Sequence, residues 1–221
     1  MSGENDWRIV CDRQTFEKCR EDERFPYIVA LARSTNALNS VHSFMLLVGE
    51  IEAPQQNRDR LNSYFFASAI LYEIFKLIER MNQAFRDDEI FQNGLRLLIK
   101  DPAARNIRDV HLKPVRTNAV FHYLPEAFAE TIEKSTCDEC LFVTGRGPLK
   151  GNINYSFADV IASEILVGFA EDSPEFYQTL SSAMEDTRTL VIKFVPAAED
   201  LIKRHLERWG FKLEIGKPIG D

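Results

Sequence analysis

The stretch LNSYFFASAILYEIFKLIERMNQAF, residues 61–85, decides the fold of this chain. Residues that would lie on one face of an α-helix recur in it at intervals of three or four positions. That face comprises Leu61, Tyr64, Phe65, Ser68, Leu71, Phe75, Ile78, Met81 and Phe85. A second stripe contains Phe66, Ile70, Glu73 and Leu77. A helix over residues 55–86, about 45 Å long, is therefore predicted inside a bundle, with Glu73 buried.

Helical periodicity continues over most of the remaining chain. Residues 26–50 form an amphipathic pattern, and Pro114 and Pro125 are each expected to begin a helix, because proline fits a first helical turn. Pro196 is expected to break the last helix. The further helices are predicted over residues 87–100, 114–123, 125–134, 158–169 and 174–209, with a short piece before 111.

The helical spacing of apolar residues is lost between residues 140 and 157, where Leu-Phe-Val is followed by a Gly-rich stretch and then by Ile153. This pattern predicts a small β-hairpin or an irregular insertion. No linker rich in Pro, Gly and Ser divides the chain. We therefore predict a single all-α domain over residues 1–221, with a helical bundle over 26–135 and a helical extension, including the hairpin, over 136–221.

The composition excludes several classes of protein. Hydrophobic residues make up 45% of the chain and charged residues 28%, a balance typical of globular proteins rather than disordered ones. The net charge of −7 argues against broad, non-specific wrapping of nucleic acid. The acidic start lacks an apolar signal segment, and Ser68 and Glu73 interrupt the longest apolar stretch. We expect a cytoplasmic protein that does not cross a membrane.

The stretch LKPVRTNAVFHY, residues 112–123, carries the clearest candidate site. It places Arg116 six residues before His122, with Asn118 between them and an aromatic residue on each side of the histidine. On an α-helix this spacing separates the two side chains by about 120° and ~9 Å along the axis. Arg105 and His111 have the same spacing. The aromatic neighbours and Pro114 favour the second pair.

At these residues the chain resembles the HEPN superfamily, helical bundles with an Arg, four to six residues and then a His. The resemblance covers residues 26–135, and Thr117 departs from the Asn that commonly follows the Arg. It implies a metal-independent endoribonuclease without cofactors. Relatives often form homodimers and act in toxin–antitoxin or phage-defence systems, so it also implies a homodimer and an antitoxin protein as partner.

The resemblance assigns roles to the motif residues. His122 would move a proton at the ribose 2′-hydroxyl or the leaving 5′-oxygen, and Arg116 would stabilise the charge on the scissile phosphate. Asn118 would orient either group. Apart from the resemblance, the position of Glu73 in the apolar stripe suggests that it braces Arg116 or His122. The structural alternatives are an ion pair with Lys76 and a hydrogen bond to a core hydroxyl.

Cations around the motif are candidates for nucleic-acid contacts. Arg105, Arg108 and Lys113 precede Arg116, and a groove between two subunits would double this patch. Arg146 and Lys150 lie in the Gly-rich stretch TGRGPLKG, which is either a phosphate-binding loop or a plain turn.

Other features have structural interpretations. Cys137 and Cys140 have the spacing of a zinc knuckle, but the two further ligands of a tetrahedral site are lacking nearby, so we predict thiols and no metal. His205 needs no ligand role. Two alternatives to the nuclease remain open: a catalytically inactive HEPN-like module that binds a nucleotide or a protein, and a helical scaffold without a small-molecule site.

Overall fold

The computed structural model describes residues 7–48, 53–120, 125–134, 144–145, 153–154, 156–168 and 173–215. This part of the chain is predominantly helical, which confirms the predicted all-α class. The resemblance to HEPN bundles stays a prediction.

The elements follow one another along the chain with short connections. Their bounds are β1 (Trp7–Val10), α1 (Arg13–Cys19), α2 (Phe25–Val48), α3 (Ala53–Ala84), α4 (Glu89–Asn93), α5 (Leu95–Lys100), α6 (Pro102–Ile107), a first π-helical turn (Arg108–Leu112), a second (Val115–Val120), α7 (Pro125–Lys134), β2 (Thr144–Gly145), β3 (Ile153–Asn154), α8 (Ser156–Val167), α9 (Pro174–Arg208) and β4 (Lys212–Ile215).

Helix α3 is the centre of the bundle, as its periodicity predicts. Its 32 residues extend about 48 Å at 1.5 Å per residue. Leu71, Phe75 and Ile78 are fully buried in a core that α2, α4, α5 and α9 complete. Towards the start of α3, Tyr64 and Phe65 join a second cluster, which α8, α9 and the second π-helical turn complete. The main predicted face of α3 therefore separates into two adjoining cores.

The second stripe of α3 is not buried as predicted. Phe66 is 49% exposed, Glu73 is also exposed, and Ile70 and Leu77 are only partly covered. Hydrophobic residues on both sides of a helix do not require that both sides meet neighbours, since exposed apolar groups are common on protein surfaces. The neighbouring helices cover one side of α3 and leave this stripe at its margin.

The proline inside α9 is accommodated without ending the helix. Pro196 lies inside α9 with its side chain exposed, whereas Phe194 and Ala198 beside it are fully buried. Burial of such side chains along α9 outweighs the ~3 kcal/mol that an interior proline costs. The predicted break at Pro196 is therefore wrong.

Gly94 divides the predicted helix over 87–100. It ends α4 and precedes α5, with φ −113° and ψ −99°, outside the helical region. A Cβ at this position would lie 2.9 Å from the carbonyl oxygen of Ile90, so a larger residue meets the preceding turn. Helix α4 begins after Asp88, whose side-chain oxygen accepts hydrogen bonds from the backbone N–H groups of Ile90 and Phe91.

Two short antiparallel strand pairs accompany the helices. Thr144 pairs with Asn154 and Gly145 with Ile153, which confirms a small hairpin near residues 140–157. A second pair joins β1 to β4, with Trp7 opposite Ile215 and Val10 opposite Lys212. This pair connects the two ends of the described chain, and nothing local in the sequence predicts it.

Helix α9 belongs to the main core. Leu190, Phe194, Ala198 and Leu201 pack with residues of α2 and α3 in one cluster. Residues 136–221, predicted as an extension of the bundle, therefore supply one of its central helices.

By length and composition alone, the described stretch Asp59–Ala84 is apolar enough to cross a membrane, because its most apolar 18-residue window has a mean hydropathy of 1.2. Inside the protein, 56% of its most apolar window is buried. A core helix has the same character, and the expectation that the chain is not membrane-bound stays a prediction.

Candidate functional site

The described part of the candidate motif, residues 112–120, lies on a helical run that extends without a break from Pro102 to Val120. Pro102 occupies the first turn, and the Asp101 side chain accepts a hydrogen bond from the N–H of Ala103 over 2.9 Å. Pro114 does not begin a new helix, contrary to our prediction. It lies between the two π-helical turns, where the N–H of Lys113 already bonds to the carbonyl of Arg108.

π-helical turns lie on both sides of Pro114. A proline has no N–H to donate to any helical pattern, and the regular i→i−4 pattern gives way to i→i−5 bonds in the turns beside it. Leu112 and Val115 on either side are fully buried and hold the run against the core. Because residues up to Val120 are π-helical, the ~120° separation expected for an α-helix does not apply to this segment.

Arg116 forms an ion pair with Glu73 of α3. The arginine Nε lies 2.9 Å from Oε1 of the glutamate, and the two side chains are 26% and 47% exposed. Burial would demand a partner for Glu73, but here the carboxylate faces solvent and still binds the motif arginine. The structure thus brings together two of the predicted site residues, which are 43 positions apart in the sequence.

The alternative partner of Glu73 is also present. Nζ of Lys76, one turn further along α3, lies 3.6 Å from the same Oε1 atom and 4.7 Å from the ring centroid of Tyr72. One carboxylate oxygen therefore lies between two cations, an arginine from the motif segment and a lysine from its own helix. This arrangement holds the Arg116 guanidinium in a fixed position beside a second positive charge.

A second ion pair joins the same helical run, at Arg108, to α3. Nη1 of Arg108 lies 2.7 Å from Oε1 of Glu79, and its other nitrogens bind both carboxylate oxygens of Asp109 over 2.8 and 3.0 Å. The hydrogen bonds to Asp109 raise the pKa of Arg108 above its usual value. Two carboxylates therefore already neutralise Arg108, which makes it a weaker phosphate contact than its charge suggests.

The other predicted cations differ in their surroundings. Nε of Arg105 donates to the carbonyl oxygen of Ile99 over 2.8 Å. Lys113 is exposed, and no carboxylate of the described residues forms an ion pair with it.

The competing pair of the same spacing does not share a site. Arg105 binds the end of α5, whereas Nε2 of His111 lies 3.9 Å from Oδ2 of Asp186 on α9. Burial lowers the pKa of His111, and Asp186 opposes this shift only in part. These contacts tie the two side chains to different helices.

Several predicted site residues lie outside the described residues: His122, Arg146, Lys150, Cys137 and Cys140. The backbone of Asn118 belongs to the second π-helical turn, and its side chain is also outside them. Among the residues that the structure does describe, no group of three or more His, Cys, Asp or Glu is placed to hold a metal ion.

Sequence reasoning missed a buried pair between His205 and Asp88. Nε2 of His205 lies 3.1 Å from Oδ2 of Asp88, and the side chains are 1% and 3% exposed. Asp88 is recognisable as a helix cap, but no local pattern identifies a histidine partner so far along the chain.

Comparisons with known proteins add no assignment to this geometry: no protein-family model, no curated protein and no solved structure matches the chain.

Proposed function

We propose that this chain is a metal-independent endoribonuclease of the HEPN type, with Arg116 and His122 as its catalytic pair. The observation that carries the proposal is the ion pair between Arg116 and Glu73. It fixes the motif arginine at a partly exposed position, which is where a residue that must meet an RNA phosphate has to lie. A buried arginine would have excluded this role.

The chemistry needs one proton carrier and one fixed positive charge. His122 takes the proton of a ribose 2′-hydroxyl, or gives one to the leaving 5′-oxygen, because an imidazole titrates near neutral pH. Arg116 stabilises the negative charge that develops on the phosphate with a planar guanidinium. Glu73 orients that guanidinium through Nε, and Asn118 orients the histidine or the phosphate.

The acidic character of the chain limits where RNA can bind. With a net charge of −7, productive binding requires a local positive region. Lys76 beside Glu73 and the exposed Lys113 supply charge near Arg116. We propose that the active form is a cytoplasmic homodimer in which two such regions face one groove, and that an antitoxin protein covers this groove in a toxin–antitoxin or phage-defence system.

The decisive experiment is an RNA-cleavage assay in EDTA. Purified protein is incubated with end-labelled RNA, and His122→Ala and Arg116→Ala are compared with wild type. Loss of a general acid–base group is expected to slow cleavage about 10²- to 10⁴-fold. His42→Ala is the matched control, because His42 is an exposed histidine on α2, away from the motif.

The possible results separate the two function classes. EDTA-resistant cleavage that His122→Ala abolishes and His42→Ala retains supports the nuclease. RNA or nucleotide binding without cleavage indicates the inactive binding module instead. Equal cleavage by wild type and His122→Ala, or neither cleavage nor binding, rejects the proposal. Light scattering of the same samples tests the homodimer.

A further inference from the structure

A cavity of about 340 Å³ opens where α3, α5 and α6 meet. Four cationic side chains line it, Arg96, Lys100, Arg105 and Arg108, against a single carboxylate, that of Glu79. Its volume lies in the range of small-molecule sites. On a chain with a net charge of −7, this excess of positive charge around one concave surface is a local feature rather than a consequence of composition.

Two of the arginines are held in place without losing their charge. Nε of Arg105 donates to the backbone carbonyl of Ile99 over 2.8 Å, and Nη1 of Arg96 donates to the side-chain oxygen of Gln92. Both acceptors are neutral, so they restrict the side chains and leave the positive charges uncompensated. Binding of a ligand to such fixed groups costs less conformational entropy than binding that must first order free side chains.

The ion pairs around the cavity divide its cations into two kinds. Glu79 and Asp109 neutralise Arg108. Within the described part of the chain, no carboxylate lies within 4.0 Å of a side-chain nitrogen of Arg96, Lys100 or Arg105. Three cations therefore remain available to an anionic ligand. A ligand with a single carboxylate would need fewer.

Asn82 supplies a further polar group to the cavity wall. Its Nδ2 donates to the carbonyl oxygen of Glu79 over 3.2 Å, and its Oδ1 is buried without a hydrogen-bond partner in the described part of the chain. Because that oxygen is buried, it offers no acceptor to a ligand, and Asn82 contributes only to the shape of the cavity wall.

We propose that this cavity binds a phosphate monoester of nucleotide size. Arg96, Lys100 and Arg105 hold the phosphate, because guanidinium groups form paired hydrogen bonds to phosphate oxygens and a lysine adds a point charge. The ligand is either a free mononucleotide or the phosphorylated end of an RNA.

This site is independent of the proposed nuclease centre. Glu79 at the cavity and Glu73 at Arg116 are both on α3, about 9 Å apart along its axis. Ligand binding in the cavity therefore does not require Arg116 or His122. The binding experiment and the cleavage experiment therefore test the cavity proposal and the nuclease proposal separately.

Isothermal titration calorimetry of the full chain tests the proposal with four probes: AMP, adenosine, a 5′-phosphorylated RNA tetranucleotide and the same RNA without its phosphate. We expect saturable binding of a phosphorylated probe at one site per chain, and at least about tenfold weaker binding of its unphosphorylated counterpart. Arg96→Gln with Lys100→Gln is expected to weaken binding by about tenfold or more.

The control variant carries Arg33→Gln and Arg204→Gln, which removes the same charge from exposed positions on α2 and α9. It is expected to bind within about twofold of wild type, because long-range surface charge contributes little in salt. Arg116→Ala is expected to bind AMP as wild type does. Circular dichroism checks that each variant is folded.

Each result has one meaning. Binding of AMP identifies a nucleotide site, and binding of the phosphorylated RNA alone identifies an RNA-end site; both support the proposal when Arg96→Gln with Lys100→Gln weakens them. The proposal is overturned if no phosphorylated probe binds below about 1 mM. It is equally overturned if the cavity variant binds as tightly as the control variant.

Discussion

The imidazole of His205 near the end of α9 binds the carboxylate of Asp88 at the start of α4, with Nε2 3.1 Å from Oδ2. The other oxygen of Asp88 accepts hydrogen bonds from the backbone N–H groups of Ile90 and Phe91 over 3.1 and 3.0 Å. Nη1 of Arg208 lies 3.5 Å from the same Oδ2. One buried carboxylate thus caps a helix and fixes the end of another, 117 positions away.

Asp88→Ala should destabilise the protein strongly. The substitution removes a helix cap, which costs about 0.5–2 kcal/mol, and it leaves the buried ring of His205 without its hydrogen-bond partner, which costs about 1–3 kcal/mol. We expect the free energy of unfolding, measured in urea, to fall by roughly 3 kcal/mol.

Asp87→Ala is the matched control for that substitution. Asp87 is the adjacent residue, its side chain is 75% exposed, and its ion pair with Arg86 is on the surface. Removal of such a pair changes stability by less than about 1 kcal/mol. If Asp88→Ala and Asp87→Ala unfold at the same urea concentration, the buried pair does not have the structural role assigned to it.

Stability should decrease as the pH falls below about 6.5, the usual pKa of histidine. Burial lowers the pKa of His205, although Asp88 opposes the shift, and burial also lowers the pKa of His111. Nδ1 of His205 is buried without a hydrogen-bond partner in the described part of the chain, so a proton added there finds no acceptor. The unfolded chain therefore binds more protons than the folded one.

Each histidine with a lowered pKa contributes to the stability of the folded protein. This contribution is fully present above pH 6.5 and is lost as the pH falls through the pKa of that histidine in the folded state. The slope is at most about 1.4 kcal/mol per pH unit for one histidine. Urea unfolding between about pH 5 and pH 7.5 measures it, and His205→Gln should have a smaller slope than wild type. A wild-type stability that rises on acidification in this range would contradict the assignment.

Two phenylalanines on α3 should respond differently to truncation. Phe75 is fully buried, whereas Phe66 is 49% exposed. Phe75→Ala creates a cavity and should cost about 3–5 kcal/mol, while Phe66→Ala should cost less than about 1 kcal/mol. Thermal unfolding of the two variants provides the measurement. Equal losses would mean that the second stripe of α3 is covered, for instance by a second subunit.

Glu73→Gln should separate activity from stability. The ion pair with Arg116 is partly exposed, so its loss should change the free energy of unfolding by less than about 1 kcal/mol. If Glu73 positions the catalytic arginine, RNA cleavage in EDTA should fall by about tenfold or more. Glu89→Gln, an exposed position on α4, is the control. Unchanged cleavage and stability in Glu73→Gln would dismiss the positioning role.

Part of the candidate site could be predicted from the sequence. The motif segment identified Arg116, and the position of Glu73 in the long helix α3 suggested the ion pair that the structure contains. The exposure of Glu73 could not be predicted, because helical periodicity gives the side of a helix and not which neighbour covers it. The cavity was missed for a related reason: Arg96 and Arg105 lie on different short helices, and only the turn at Asp101 brings them together.

The sequence by itself determined the all-α class and the position of α2 and α3, because periodic burial of apolar side chains is a local property of each segment. It also determined the start of α7, where Pro125 fits a first turn. Only the tertiary structure decided that Pro114 and Pro196 stay inside helices, since packing of buried neighbours outweighs the local cost of proline. It also decided the pairing of β1 with β4 and of His205 with Asp88, because contacts between distant parts of the chain form only when the helices between them are packed.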